Sequence, residues 1–214
     1  MMRRARWRLR LLLGLATVAL PVAAQTQEPI AGGELPPPGY GSLKQDNVSL
    51  RITLNDIEIR FLPLDERLIR LMAPDAYQSL HGLVVSRQPA IDSAARAAGL
   101  TSPGLALVTF FALRSAARFD PENVSLSYRS QFERPAAIVP YSGTFTSRQL
   151  DVRQQATGIY LFDEPLPVFE PFDVLYGTSQ ASWNDDVLRR IGVERVRVQS
   201  RAQASKGDSA AVKP

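Results

Sequence analysis

The chain has 214 residues, with 25 Lys and Arg against 21 Asp and Glu for a formal charge of +4, one histidine and no cysteine. Without cysteine there is neither a disulfide staple nor thiol chemistry, and a lone histidine cannot supply a metal centre built from His and Cys ligands. Five of the arginines (Arg3, Arg4, Arg6, Arg8 and Arg10) fall in the first ten residues, and setting them aside leaves 20 basic against 21 acidic residues. The rest of the chain is therefore close to −1, which removes the electrostatic case for a nucleic-acid partner.

Those arginines open a secretory pattern. An apolar run from Leu11 to Val22 follows them, and Val22-Ala23-Ala24 places small residues before Gln25. A basic n-region, a short apolar h-region and a small-residue cleavage site predict a signal peptide over residues 1–24. The run is shorter than the roughly 18 residues that span a bilayer. The expectation is an exported chain, periplasmic or extracellular, with no membrane span once the leader is cleaved. Residues 25–46 hold Gly32-Gly33, Pro36-Pro37-Pro38 and Gly39 with little apolar periodicity, which predicts a flexible linker.

Folded structure is expected over residues 47–199. Val48, Leu50, Ile52 and Leu54 alternate with polar residues, and after Asn55-Asp56 the residues Ile57, Ile59 and Phe61 resume the alternation one position out of phase. One long bulged strand is the favoured reading, and a tight hairpin through Leu54-Asn55-Asp56 the second. Residues 63–100 change character. Asp65 can cap a short helix carrying Leu68, Ile69, Leu71 and Met72. Asp75 can cap a second with Tyr77, Leu80, Leu83 and Val84, and a third runs from Ser86 to Ala98 with Pro89 in its first turn. A helical insert after the first strand is the expectation. A plain sandwich does not need it, so specificity is expected there.

Leu105 to Arg114 is apolar on both faces and reads as a buried strand. Asp120-Pro121-Glu122-Asn123 is turn chemistry, Val124, Leu126 and Tyr128 alternate as a strand, and Ala136 to Val139 gives a short strand stopped by Pro140. Tyr160 and Phe162 with Ile159 and Leu161 form one further strand, and Phe172, Val174 and Tyr176 another, joined across Pro165, Pro167 and Pro171. A short helix capped by Ser182, a break at Gly192, a last strand with Val193, Val196 and Val198, and a disordered tail over 200–214 complete the reading. Seven or so short strands with turn signals between them predict a mainly β chain, an immunoglobulin-like β-sandwich. The pattern around Gly158-Ile159-Tyr160-Leu161-Phe162 and Phe172-Asp173-Val174-Leu175-Tyr176 resembles that of several uncharacterised secreted immunoglobulin-like domains; the resemblance implies the fold and no site.

Chemistry-bearing motifs are sparse. No Gly-x-Ser-x-Gly elbow, phosphate loop or dinucleotide fingerprint occurs. His81 is expected to pack or cap at a helix end. Asp185 and Asp186 beside Trp183 could bind or hydrolyse a glycan if the tryptophan is exposed, although acids also suit a helix N-terminus. Phe169, between Pro167 and Pro171, either plugs the end of the sandwich or anchors a partner. The functional expectation is an exported, non-enzymatic interaction domain of a bacterial-type envelope, without metal or cofactor, that offers a sheet edge or end loop to an envelope protein. The alternative is a carbohydrate-binding or carbohydrate-active module at Trp183, Asp185 and Asp186.

Overall fold

The computed structural model describes residues 35–211, with side chains described through Ser205. The leader pattern at Met1–Ala24 and the first part of the linker lie outside the described residues. In chain order the elements are β1 (Leu50–Thr53), β2 (Ile57–Pro63), α1 (Glu66–Ile69), α2 (Pro74–Ala97), β3 (Gly104–Ala112), β4 (Ala117–Arg118), β5 (Val124–Tyr128), β6 (Gln131–Glu133), β7 (Ala137–Pro140), β8 (Gln149–Leu150), β9 (Gln155–Phe162), β10 (Phe172–Tyr176), β11 (Ser179–Trp183) and α3 (Asp185–Ala211). The protein is mainly β, with a five-stranded sheet in the order β1-β2-β3-β9-β7, a four-stranded sheet β11-β10-β5-β6 and a two-stranded ribbon β4-β8. Every strand pairing is antiparallel.

The phase change at Asn55-Asp56 is a hairpin, not the bulge favoured from sequence. Leu54 N–H donates to the Ile57 carbonyl at 2.9 Å, and Leu50 faces Phe61 while Ile52 faces Ile59. Antiparallel folding brings both apolar sets to one face, so the slip disappears without an inserted residue. The alternation continues into β3 and β9, where Ala106, Val108 and Phe110 share that face with Tyr160, Gly158 and Ala156. Phe61 meets Phe162 and Phe172, and Phe110 meets Tyr176, so aromatic rings from the five- and four-stranded sheets fill the space between them. Gly158 is required at its position: a Cβ there would lie 2.7 Å from the Phe145 ring. The strands carrying Ile159 and Phe172 lie in different sheets, β9 between β3 and β7, and β10 between β11 and β5.

Two helices, not three, separate β2 from β3. Asp65 caps α1 as expected, accepting from Arg67 N–H at 2.8 Å. Pro74 is the first residue of α2, where its missing N–H would have no intrahelical partner. The helix then runs through Ser86. Pro89 falls on its exposed side, and the carbonyl it leaves unbonded can meet water. Leu80, Ile91 and Ala95 give α2 a buried face that packs on β7 and β9. Leu68, Ile69, Leu71, Met72 and Leu80 are all core residues, so this segment is part of the packing and not an appendage.

Three further expectations are corrected. Ser179–Trp183 is strand β11, and the helix after it is capped by Asn184, whose Oδ1 accepts from Asp186 and Val187 N–H. The break at Gly192, the last strand and the disordered tail from residue 200 are replaced by the continuous helix α3 through Ala211. Its buried residues Val187, Ile191, Glu194, Val198 and Ala202 recur every three or four positions, a helical stripe in which one acid obscured the apolar pattern. Residues 35–46 of the expected linker are likewise placed: Leu43 is buried and bridges to Met72, and its N–H bonds the Leu71 carbonyl at 3.1 Å. Gly41 makes this approach possible, because a Cβ there would sit 2.2 Å from the Leu71 carbonyl carbon.

Candidate functional site

The residues singled out from sequence do not form one site. Trp183 is fully buried, stacks on Phe172 at 5.3 Å and donates its Nε1–H to the Val168 carbonyl at 3.1 Å. It presents no face to a sugar, which removes the glycan platform built on it. Asp185 and Asp186 are exposed in the first turn of α3, and Asp186 pairs with Arg189 at 2.7 Å, an arrangement that complements the helix dipole. Phe169 is half-buried against the core with the guanidinium groups of Arg67 and Arg195 each 5.3 Å from its ring centre. The ring is thus engaged by two cations of its own chain and packs against the core, as the plugging role requires. His81 stacks on Tyr77 and its Nδ1 lies 2.6 Å from Glu66 Oε1. Among the described residues no cluster of three or more His, Cys, Asp or Glu could hold a metal ion, and no helix is long and apolar enough to cross a membrane.

Two other places stand out. The first is the edge at β6. Of the four edge strands in the two large sheets, β1 lies against β11, and α2 packs on β7. Strand β6 pairs with β5 alone, and its central residue, Phe132, is 74% exposed. The turn that leads into it, Arg129-Ser130, has both residues at positive φ (48° and 64°), the conformation that a two-residue hairpin demands but that Asn-Gly ordinarily supplies. Such positions cost of order 1–3 kcal/mol each. Contacts on the turn oppose that cost: Arg129 pairs with Glu170 at 2.7 Å and covers the Tyr128 ring, and the Tyr128 hydroxyl also donates to Glu170. Those two donors, the tyrosine hydroxyl first, hold the Glu170 carboxyl below its usual range. With Tyr128 and Gln131 closing the turn, Phe132 and Ser127 are a non-hydrogen-bonded pair. The Phe132 N–H and C=O therefore point away from β5, toward the open edge. Its ring stands on the outer face of the sheet beside Ser127 and Asp173, where small side chains leave the surroundings low.

The second is a groove of about 270 Å³ on the outer face of the five-stranded sheet, lined by Gln45, Arg60, Leu62, Leu107, Thr109, Phe111, Tyr141, Gln155 and Thr157. Its residues are the opposite phase of the strands that build the core: Leu107, Thr109 and Phe111 of β3 stand beside Arg60 of β2 and Thr157 of β9. The Arg60 guanidinium lies 5.3 Å from the Phe111 ring centre, with Asp46 at 3.5 Å and Glu58 at 4.0 Å. Thr109 and Thr157 are buried and share a hydrogen bond of 3.2 Å. Arg87 of α2 sits 5.0 Å from the Tyr141 ring at the groove's margin.

Sequence reasoning passed over both places for a physical reason. Arg129-Ser130 lacks the glycine that signals a tight hairpin, so β6 and Phe132 merged with the turn that follows. The groove combines polar positions of alternating strands, such as Arg60, with Leu107 and Phe111 of a strand that reads as buried on both faces, so no single pattern marks it. Comparison with known proteins gives no match: no protein-family model, no curated protein and no solved structure is significantly similar to the chain.

Proposed function

We propose that this protein is an exported, non-enzymatic interaction domain of the cell envelope, which presents the β6 edge to a protein partner. The leader pattern at residues 1–24 supports export. The single observation that carries the interaction reading is Phe132, an aromatic residue 74% exposed at the centre of an edge strand whose outward N–H and C=O are uncommitted. Strand addition at such an edge combines main-chain hydrogen bonds with a side-chain anchor, and aromatic anchors are enriched among residues that dominate binding energy. The strand has three residues, so a partner gains little from main-chain pairing and must receive the phenyl ring in a pocket of its own. As architecture, we propose that the two large sheets form a β-sandwich closed at one side where β1 meets β11. The aromatic contacts between Phe61 and Phe172 and between Phe110 and Tyr176 support it. Its connectivity begins with three consecutive neighbours, β1-β2-β3, in one sheet, whereas immunoglobulin sheets place B beside E.

A photo-crosslinking amino acid at position 132, with a second protein carrying it at Val85, also exposed, on α2 as control, tests the reading in envelope-producing cells. A discrete adduct at 132 that is absent at 85, and that Phe132→Lys suppresses when the probe is moved to position 131, is the expected result. Equal labelling at both positions sinks the proposal. Point variants are the right tools, because deleting residues 63–100 would remove eight core side chains along with the helices.

A further inference from the structure

The groove beside α2 gathers polar side chains that are uncommitted within the protein around an apolar patch. The side chains of Gln45, Gln155 and Tyr141 make no hydrogen bond to described protein atoms, and the Thr109 and Thr157 hydroxyls bond only each other. Arg60 Nε also lacks a partner. Leu62, Leu107 and Phe111 supply an apolar floor. No carboxylate lines the groove, and the one cation that does, Arg60, has Asp46 at 3.5 Å and Glu58 at 4.0 Å outside it. Amides, hydroxyls and a phenol beside an apolar patch, with no carboxylate and a cation already facing acids, suit a ligand that is uncharged, rich in hydroxyls and apolar on one face.

Main-chain groups take no part. Arg60, Thr109 and Thr157 lie on β2, β3 and β9, each flanked by strands on both sides, so the sheet's N–H and C=O groups are already paired. An extended peptide would lose the ladder that ordinarily gives it affinity. Recognition here is by side chains alone. The volume of about 270 Å³ falls just below the roughly 300–1,000 Å³ of drug-sized sites, which sets the occupant at one ring rather than several.

We infer that this groove binds a single neutral pyranose unit, either as a free monosaccharide or as the terminal unit of a glycan. The site is independent of the β6 edge, and its residues are not those around Trp183. The amides of Gln45 and Gln155 take ring hydroxyls, the threonine pair takes a third, and the C–H face of the sugar rests on Leu107 and Phe111.

The experiment is a titration of the isotope-labelled protein, followed by amide chemical shifts, with glucose, galactose, mannose and N-acetylglucosamine and with neutral oligosaccharides ending in each. The expected result is saturable shifts confined to residues 60–62, 107–111 and 155–157 and to the side-chain amide signals of Gln45 and Gln155. Gln155→Ala, an exposed position that leaves folding intact, should weaken binding about five- to tenfold, the loss of one hydrogen bond to a ligand. Thr157→Val should do the same. Tighter binding of an oligosaccharide than of its terminal sugar identifies a glycan as the source, and equal binding a free sugar. Absence of saturable shifts with every sugar at tens of millimolar, shifts centred elsewhere, or tighter binding of a neutral dipeptide amide at the same residues each overturns the inference.

Discussion

The Glu194 carboxylate, 2% exposed on α3, accepts hydrogen bonds from both the backbone N–H of Ser42 at 2.9 Å and the Ser42 hydroxyl at 2.8 Å, across 152 positions of sequence. Arg201 donates to the same oxygen at 2.8 Å and to the Tyr40 carbonyl at 2.6 Å, and Arg190 reaches the Asn47 carbonyl at 3.1 Å. The last helix is therefore fastened to the segment that enters the first strand by polar contacts as well as by Val187, Ile191 and Val198. A proline- and glycine-rich entry segment with little apolar surface is ordered because its backbone is satisfied by another element.

Glu194→Ala should be strongly destabilising. It leaves the Ser42 N–H without its acceptor and Arg201 with the Tyr40 carbonyl in place of a carboxylate, and breaking a buried ion pair from one side costs about 3–5 kcal/mol. Arg201 is 42% exposed and regains water, so the lower end, about 3 kcal/mol, is the expectation. For a chain of this size that is a fall in Tm of roughly 6–12 °C, read by circular dichroism. A change under about 1 kcal/mol would show that the segment is not held by this carboxylate.

Glycines in the two long helices separate space from strain. Gly82 in α2 and Gly192 in α3 have open surroundings where a Cβ would stand. Alanine at each should stabilise by roughly 0.5–1 kcal/mol, because the unfolded chain loses freedom and the helix gains propensity. The two lie on different helices, so their effects should add. Gly41→Ala should do the reverse and prevent the Leu43–Met72 bridge, since its Cβ would overlap the Leu71 carbonyl. Denaturant melts of the four proteins, the double variant included, check the signs.

These same glycines show why sequence and structure part company at the C-terminus. Gly192 reads as a helix stop by propensity, and Glu194 interrupts the apolar stripe between Ile191 and Val198. Only the Ser42 contact, made by a distant segment, reveals that position 194 faces inward. Strands were legible where alternation was clean, as in Ile57 to Phe61, Val124 to Tyr128 and Phe172 to Tyr176. Asp65 was legible as a cap because its partner lies two residues away. The hairpin at Asn55-Asp56, the partnership of β10 with β5 and β11 instead of β9, and the exposure of Phe132 depend on which strands pair, which local pattern does not encode. Trp183 was misread for a related reason: one aromatic beside two acids looks the same on a groove as at the foot of a strand whose neighbours are Phe172 and Val168.

Enclosure of Trp183 has its own consequence. In a Trp7→Phe background its emission should be blue-shifted and resistant to iodide, and saccharides should leave it unchanged. Trp183→Ala should cost about 3–5 kcal/mol through the cavity it opens beside Phe172. Trp183→Phe should cost less, retaining the stacking but leaving the Val168 carbonyl unpaired. A red-shifted, readily quenched emission would contradict the packing described.

Glu133 and Glu170, near opposite ends of the β6 turn, should respond to pH with opposite signs. Burial pushes the Glu133 carboxyl above its usual 4.5, against the Asp163 N–H that donates to it at 2.8 Å, and the nearby Asp163 and Glu164 charges add to the rise. A carboxyl with a raised folded value binds its proton more tightly in the folded state. Its contribution therefore favours folding below 4.5 and is lost as pH climbs through the raised value, so at neutral pH the charged form is a liability. Glu133→Gln keeps an acceptor for Asp163 and should raise Tm at pH 7, with the advantage vanishing as pH falls to the ordinary carboxylate range. Glu170 is the mirror case: Tyr128 and Arg129 lower its value, so its contribution is present above 4.5 and is lost as pH falls through the depressed value. Glu170→Gln should lower Tm at pH 7 and converge on the parent protein in acid. Thermal melts of the three proteins from pH 7 to pH 3 read both slopes, and a Glu133→Gln protein less stable than the parent at pH 7 would show that the charged carboxylate, not its burial, governs the β6 edge.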